Sequence, residues 1–232
     1  MTERIRLTTA ILIVPYRESA AILAKQAATL HHLSGRRLVL GMAVGGRDDD
    51  YEPYGLSMSP KERWDRLMEM LEEMKRLLAG EKRGFAGGVG PDVSDDPPKV
   101  FLGGQTDAVF KRAARVADGW MMGGGPPEMF GAAREKLEAA WREAGREGTP
   151  YKASLTYYSL AEDPEAAART SIGNYYSFVP QYEEMVVAGT AKGPDEIRAR
   201  VRAFEEQGAD ELIMFPATTD PAQVDELASI VL

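Results

Sequence analysis

The chain has 232 residues, no cysteine and a formal net charge of -8, from 36 acidic and 28 basic side chains. This length supports one sizeable core, and we predict a single domain over residues 1–232. The negative charge argues against a nucleic-acid or anionic-lipid partner, and the absence of cysteine excludes disulfides, thiolate nucleophiles and cysteine-ligated metals. No apolar run approaches the roughly 20 residues of a membrane-spanning helix, so we expect a soluble, cytoplasmic protein.

Strands and helices are predicted to alternate along the chain. Apolar runs rich in β-branched residues predict six strands, at residues 4–14, 37–44, 99–102, 120–122, 152–160 and 211–215. The first is almost continuously apolar in its second half, which is typical of a strand buried on both faces. Helical periodicity predicts helices at residues 18–33, 60–78, 106–117, 126–144 and 164–176, one around Ile197, and a last one from Pro221. Residues 178–193 are expected to be irregular.

The alternation contains no hairpin signals, and it therefore predicts a parallel sheet with helical crossovers. Either a doubly wound sheet or a (β/α) barrel fits this pattern, and periodicity does not choose between them. No Walker loop, G-x-S-x-G elbow or G-x-G-x-x-G turn follows any strand. The adjacent His31 and His32 have no metal-site spacing, and the run Asp48-Asp49-Asp50 is typical of a solvated loop, so no metal site is predicted.

Glycines follow three of the predicted strands, at positions 45–46, 103–104 and 123–125. Ligands of parallel α/β folds lie at the carboxyl ends of the strands, where free backbone N–H groups and a helix N-terminus hold phosphate. The turn Gly103-Gly104-Gln105-Thr106 has this form. A tight turn that merely requires glycine explains the same spacing equally well.

Three stretches of the sequence together resemble the bacterial luciferase-like family of oxidoreductases. They are the segment from RIRLTTAILIVPYRE to LSGRRLVLGMAVGG, the segment from PPKVFLGGQTDAVF to ADGWMMGG, and the segment from GTAKGPDEIR to ELIMFP. They keep the family's order and approximate separations over nearly the whole chain. The resemblance implies a TIM-like (β/α) barrel, here incomplete, with six of its eight strand–helix units.

The resemblance also implies a cofactor and its contacts. Family members bind reduced FMN or the deazaflavin F420 at the strand carboxyl ends. A bulge that often contains a non-proline cis peptide supports the ring, and the matching pair is Ala10-Ile11. The family's phosphate-binding segment matches the turn formed by Gly103, Gly104, Gln105 and Thr106. Met121 and Met122 match a strand that borders the ring, although buried apolar filler is an equal interpretation.

Two departures from the family pattern stand out. Val44 matches a cofactor-contacting position at which luciferases carry an arginine. Family members also begin with two strand–helix units before the segment that matches Met1, and those units carry the catalytic histidine and much of the ring pocket. A barrel without them exposes strand edges, so we expect a homodimer or a higher homo-oligomer that covers the open edge.

Two functions follow from the resemblance. The first is an oxidoreductase, or monooxygenase, that acts on a small organic substrate with reduced FMN or F420. The second is a non-catalytic flavin-binding or structural relative that lost turnover with the first two units. The catalytic residues are unknown, because no residue present is identifiable as the general acid or base. A third, unrelated possibility is a doubly wound α/β binding protein.

Overall fold

The structure is a computed structural model, and it describes residues 2–232. Its contacts divide the chain into two compact units, residues 1–103 and 104–232. Within each unit, every strand pairing that the structure records is parallel. The predicted parallel α/β class is therefore confirmed.

The first unit contains three strands and two helices. In chain order these are β1 (Leu7–Ile13), α1 (Ala20–Leu33), β2 (Leu38–Ala43), α2 (Pro60–Leu78) and β3 (Lys99–Gly103). Short 3-10 turns lie at Glu52–Tyr54 and Gly84–Ala86. β2 pairs with β1 on one side and with β3 on the other.

Helix α2 has the bounds that its sequence predicts. The Ser59 side chain accepts from the Glu62 backbone N–H, and the Glu62 carboxylate accepts in return from the Ser59 backbone, which completes a capping box. Pro60 occupies the first helical position, where no N–H is needed. Leu67 and Met74 lie on the buried face. Local signals at the N-terminus therefore begin this helix, and its apolar face anchors it.

The described residues of the second unit contain four strands and seven helices. The strands are β4 (Gly119–Met122), β5 (Tyr151–Ser159), β6 (Ala191–Lys192) and β7 (Glu211–Pro216). The helices are α3 (Asp107–Val116), α4 (Pro127–Glu143), α5 (Pro164–Ala168), α6 (Asn174–Tyr176), α7 (Pro180–Ala188), α8 (Gly193–Glu206) and α9 (Ala222–Val231), with a π-turn at Arg169–Gly173 between α5 and α6. β5 pairs with β4, with β7 and, at its end, with β6.

The prediction of an irregular stretch over residues 178–193 is wrong. This stretch contains α7, which begins at Pro180, and the two-residue strand β6. Val187 is the one buried residue of helix α7, so the sequence has no apolar stripe that would predict a helix there. The six predicted strands are all present, and β6 is an additional seventh among residues 2–232.

Strand β1 is not buried on both faces, contrary to prediction. Leu7 is 41% exposed and the rest of the strand is only half-buried, whereas β2 is buried over all but its last residue. Among the described residues β2 is the sole hydrogen-bonded neighbour of β1, which ends the strand order. An apolar sequence thus lies at an open edge, a position that natural sheets usually protect.

His31 is buried rather than exposed at its helix end. Its Nε2 lies 3.0 Å from the carbonyl oxygen of Asp96, which can only accept, so this nitrogen carries the proton. Arg36, which follows α1, donates a hydrogen bond to the Asp95 carboxylate at 2.9 Å. The long loop before β3 is therefore attached to the end of α1.

Candidate functional site

The bulge of β1 lies where the resemblance predicts it. The register of β1 on β2 shifts between Thr9 and Leu12, and the intervening Ala10-Ile11 peptide bond is cis. The hydroxyl of Thr9 donates to the Gly41 carbonyl oxygen at 2.9 Å and holds the strand just before the bulge. Because of this bulge, the Ile11 side chain does not follow the regular alternation of side chains between the two faces of the strand.

Ile11 and Gly103 lie against each other in the first unit. A Cβ atom on Gly103 would overlap Cδ1 of Ile11 and would lie 3.4 Å from Cβ of Ala43. The last residue of β3 is therefore glycine because a neighbouring side chain fills the space above it. The structure thus brings two of the predicted cofactor-binding residues into contact.

Val44, also predicted to contact cofactor, immediately follows β2 and is half-buried. Its carbonyl oxygen accepts from the hydroxyl of Tyr51 at 2.5 Å. We call residues 44–59 the Tyr51 loop. The backbone at Val44 is thus held by the interior of its own loop, so any cofactor contact there falls to the Val44 side chain.

The Tyr51 loop is fixed by one buried cation. The Arg63 guanidinium lies 4.1 Å from the centre of the fully buried Tyr51 ring. It also donates to the Met58 carbonyl oxygen at 3.0 Å and to the Asp48 carboxylate at 2.5 Å. Burial raises the pKa of the Tyr51 hydroxyl, and the Arg63 charge offsets part of that rise. Arg63 therefore attaches this loop, which follows the carboxyl end of β2, to helix α2.

In the second unit, the predicted phosphate turn is anchored by two side chains. Trp120 Nε1 donates to the Gly104 carbonyl oxygen at 2.6 Å, and Gln105 Nε2 donates to the Gly124 carbonyl oxygen at 3.1 Å. Gly104 has φ of 132°, which disfavours any residue with a Cβ. The Gln105 side chain is therefore engaged with the next turn.

Helix α3 begins directly after this turn. Thr106 is its N-cap, and its Oγ1 accepts from the Val109 backbone N–H at 3.4 Å. The amides of Asp107 and Ala108 belong to the first turn, where helix geometry leaves N–H groups without internal acceptors. Lys136 lies 3.0 Å from the Asp107 carboxylate and neutralises it. The turn thus presents N–H groups and the positive end of a helix, which suits an anionic oxygen.

The two predicted methionines lie on opposite faces of β4. Trp120 packs against Phe110 of α3 and Phe130 of α4, so its face of the strand is the helix side. Alternation puts Met122 on that same side and Met121 on the other. Both side chains are buried. Of the two, only Met121 lies on the face opposite the helices.

A cluster of aromatic side chains lies at the ends of β5 and β7. It comprises Tyr157, Tyr176, Tyr182 and Phe215, and we call it the tyrosine cluster. The hydroxyls of Tyr157 and Tyr176 lie 2.8 Å apart. In the sequence, the aromatic residues Tyr176, Phe178 and Tyr182 of the stretch 175–189 suggest a substrate lid or a dimer contact, with small packing anchors as the alternative. Tyr157, which is 19 residues away from Tyr176 in the chain, was not predicted. Only the alternation of β5 could have singled it out.

Some functional elements are absent from residues 2–232. No group of three or more His, Asp or Glu side chains there is arranged to hold a metal ion. Within the same range, no helix has the length and apolar character that crossing a bilayer demands.

Solved structures with the same fold include three oxidoreductases. An F420-dependent secondary alcohol dehydrogenase in complex with an F420-acetone adduct superposes with a TM-score of 0.80 at 19% identity, over 99% of this chain and 79% of that one. The coenzyme F420-dependent tetrahydromethanopterin reductase from Methanopyrus kandleri gives 0.72 at 20% identity, over 100% and 83%. The monooxygenase RslO1 from Streptomyces bottropensis gives 0.69 at 24% identity, over 99% and 76%. The chain therefore has the predicted TIM-like barrel fold in incomplete form.

Sequence comparison agrees with the fold. The uncharacterized protein Rv0940c of Mycobacterium tuberculosis and the uncharacterized protein Mb0965c of Mycobacterium bovis are each 33% identical to this chain over 153 residues. The match covers 63% of this chain and 52% of each relative, so the chain spans about half the length of these relatives. The family profile described as luciferase-like monooxygenase matches residues 1–191. The chain belongs to the luciferase-like monooxygenase family.

Proposed function

We propose that the protein is an oxidoreductase that uses reduced FMN or F420 on a small organic substrate. The observation that carries this proposal is the turn at Gly104–Thr106, whose backbone is anchored by Trp120 and leads into the N-terminus of α3. A phosphate group fits such a turn because several N–H groups point the same way and the helix dipole favours negative charge. Two of the structural relatives are described as F420-dependent and one as a monooxygenase, so both cofactors remain in the proposal.

The residues present fit such a cofactor in each unit. In the second unit, the backbone of Gly104, Gln105 and Thr106 would hold the phosphate, and Met121 would offer an apolar contact. In the first unit, Ala10 and Ile11 would support the ring, Val44 would contact the cofactor, and Gly103 would begin the phosphate turn. The absence of a Cβ on Gly103 lets the Ile11 side chain lie flat across the end of β3.

The chemistry divides between the cofactor and the chain. When bound, reduced FMN supplies oxygen activation and F420 supplies hydride. The part of the chain would be to bind the phosphate, to orient the ring and to exclude water. Substrate and cytoplasmic location remain predictions.

Titration of the purified protein with reduced FMN and with F420 tests the proposal. We expect absorbance changes that saturate with one of the two cofactors. Gly104→Val should weaken that binding by about tenfold or more. A residue with a Cβ disfavours the φ of 132° at this position, so the backbone of the turn must change and the phosphate loses a charge-assisted hydrogen bond. Gly123→Ala is the matched control, since a Cβ there meets nothing within 4 Å. Failure of the protein to bind either cofactor, or equal binding by Gly104→Val, would contradict the proposal. Cofactor binding without turnover would favour the second function, a non-catalytic relative of the family.

Gly103→Ala tests the first unit in the same titration. The new methyl group would displace Ile11, so we expect weaker binding with a changed ring spectrum. Gly46→Ala is its control, because a Cβ on Gly46 has open space around it. An unchanged ring spectrum in Gly103→Ala would remove Ile11 from the proposed contacts.

We also propose that the chain assembles as a homodimer or a higher homo-oligomer through the open edge of the first unit. Among the described residues β1 pairs only with β2, and Ile22, Leu30 and Leu33 of α1 are exposed apolar side chains. Light scattering should give at least twice the monomer mass of 25.4 kDa. Ile22→Asp combined with Leu30→Asp should reduce this mass, whereas Phe85→Asp, which changes an exposed apolar residue in a loop, should not. A monomeric parent protein would contradict this assembly.

A further inference from the structure

Tyr157 projects from the face of β5 opposite the one that α8 and α9 cover. Its neighbour Thr156 accepts a hydrogen bond from Arg200 of α8 at 3.2 Å, and Tyr158 donates to the Gln223 carbonyl oxygen of α9 at 3.3 Å. Side chains alternate along a strand, so Tyr157 points to the opposite side. Phe215, its register partner on β7, accompanies it with ring centres 6.1 Å apart. Both rings stand at the carboxyl ends of parallel strands, where ligands bind in such folds.

Side chains from α6 and α7 complete the tyrosine cluster. The Tyr176 ring meets that of Tyr157 edge to face at 6.2 Å, and the Tyr182 ring meets that of Tyr176 at 5.0 Å. Buried apolar side chains lie beneath, among them Ile172 and Val187. The four aromatic rings themselves are only half-buried. They therefore form an apolar, aromatic surface with access to solvent on one side.

The two hydroxyls of the cluster leave one proton without an acceptor. Tyr157 and Tyr176 carry two hydroxyl protons, and only one of them can lie between oxygens that are 2.8 Å apart. Among the described residues neither hydroxyl has a third hydrogen-bond partner. Whichever tyrosine accepts within the pair keeps a proton that is free to bind a ligand oxygen.

The charge state of the pair defines the ligand further. Burial raises the pKa of both hydroxyls, so both stay protonated at neutral pH and act as donors. Besides burial, the groups that shift these two pKa values are other tyrosines, which are uncharged at neutral pH. Among the described residues, neither hydroxyl takes part in a contact with a cationic side chain. A carboxylate or phosphate would therefore be poorly compensated here.

We propose that the tyrosine cluster binds the organic substrate, and that this substrate is an uncharged, flat molecule whose carbonyl or similar oxygen accepts from the Tyr157–Tyr176 pair. Its flat apolar part packs on the rings of the cluster, which favour aromatic contacts. The pair is a positioning element, because it holds the substrate oxygen through a neutral hydrogen bond. This inference rests on the proposed function, since the ligand is identified with the substrate of that oxidoreductase.

Binding of two matched probes tests the inference without cofactor. Ligand-observed fluorine NMR on the full chain would compare para-fluoroacetophenone, which has a carbonyl acceptor, with para-fluoroethylbenzene, which has none. We expect the ketone to bind about threefold to tenfold more tightly, as one neutral hydrogen bond provides. Tyr157→Phe combined with Tyr176→Phe should remove this preference. Either single variant should keep part of it, since the surviving hydroxyl still donates.

Tyr175→Phe is the control, because Tyr175 is 66% exposed and its hydroxyl lies outside the pair. It should keep the full preference for the ketone. Equal binding of both probes by the parent protein, binding of neither probe, or an unchanged preference in the double variant would overturn the inference. The comparison of the two probes on the parent protein tests the inference even if the double variant does not fold.

The cofactor titration separates this inference from the proposed function. If neither FMN nor F420 binds while the ketone preference is present, the proposed function fails and the tyrosine cluster remains a ligand site. If a cofactor binds and the ketone preference is absent, the oxidoreductase stands and the substrate site lies elsewhere.

Discussion

The Tyr51 loop of the first unit and the tyrosine cluster of the second unit both follow a strand's carboxyl end, and both depend on tyrosine. They use it in opposite ways. The Tyr51 ring is fully buried beneath Arg63 and its hydroxyl donates to the backbone of Val44. Tyr157 and Tyr176 are half-buried, and within residues 2–232 their hydroxyls bond only to each other. The difference teaches that complete hydrogen bonding marks a structural tyrosine, whereas a spare donor at a solvent-accessible surface marks one available for recognition.

The largest effect should come from removing the cation of the Tyr51 loop. Arg63→Met keeps the apolar stem but leaves the Met58 carbonyl oxygen without its donor and the Tyr51 ring without its cation. Because Arg63 is 4% exposed, we expect a loss of about 3 kcal/mol in the free energy of unfolding, measured with urea. Lys61→Met, which removes an exposed ion pair with Asp65, should cause no measurable change. Similar midpoints for the two variants would show that Arg63 does not hold the loop.

A smaller effect should distinguish the tyrosines themselves. Tyr51→Phe leaves a carbonyl oxygen without its donor in a buried setting, and we expect it to cost about 1.5 kcal/mol. Tyr176→Phe should cost about 0.5 kcal/mol or less, because water can replace the lost hydroxyl at a half-buried position. Urea unfolding at neutral pH measures both. Equal losses would remove the distinction between a structural and a recognition tyrosine.

The smallest effect concerns alkaline pH. Burial raises the pKa of Tyr157, Tyr176 and Tyr182 above the ordinary value of 10.0. The folded state therefore holds these protons more tightly than the unfolded state. Their contribution to stability is complete below pH 10 and is lost as the pH rises toward the folded-state pKa values. The Tyr157→Phe, Tyr176→Phe double variant should lose stability less steeply above pH 10 than the parent protein, in urea midpoints compared with those at pH 7. An equally steep loss would assign the alkaline sensitivity to other groups.

Much of the architecture was predictable from local signals. Ser59, Glu62 and Pro60 define where α2 begins, because capping and the fixed φ of proline act within one turn. The glycine at position 104 and the cap at Thr106 likewise define a turn followed by a helix. The location of the bulge at Ala10-Ile11 came from the resemblance rather than from the residues themselves. The functions of the predicted cofactor residues remain predictions.

Other features escaped sequence reasoning for physical reasons. Strand β1 has the composition of a buried strand, yet its burial depends on which strands lie beside it, and among residues 2–232 only β2 does. Helix α7 has no apolar stripe and is recognisable only in its tertiary setting. His31 is buried because a loop that begins far along the chain supplies the Asp96 carbonyl oxygen.

The sequence by itself determined the order of strands and helices, the caps and glycine turns, and membership in a family, since these depend on residues near one another in the chain. Tertiary structure alone decided that Gly103 accommodates Ile11, that Arg63 covers Tyr51, and that Tyr157 meets Tyr176. Each of these contacts joins residues from separate elements. Their geometry depends on how the elements pack, which no local pattern of residues specifies.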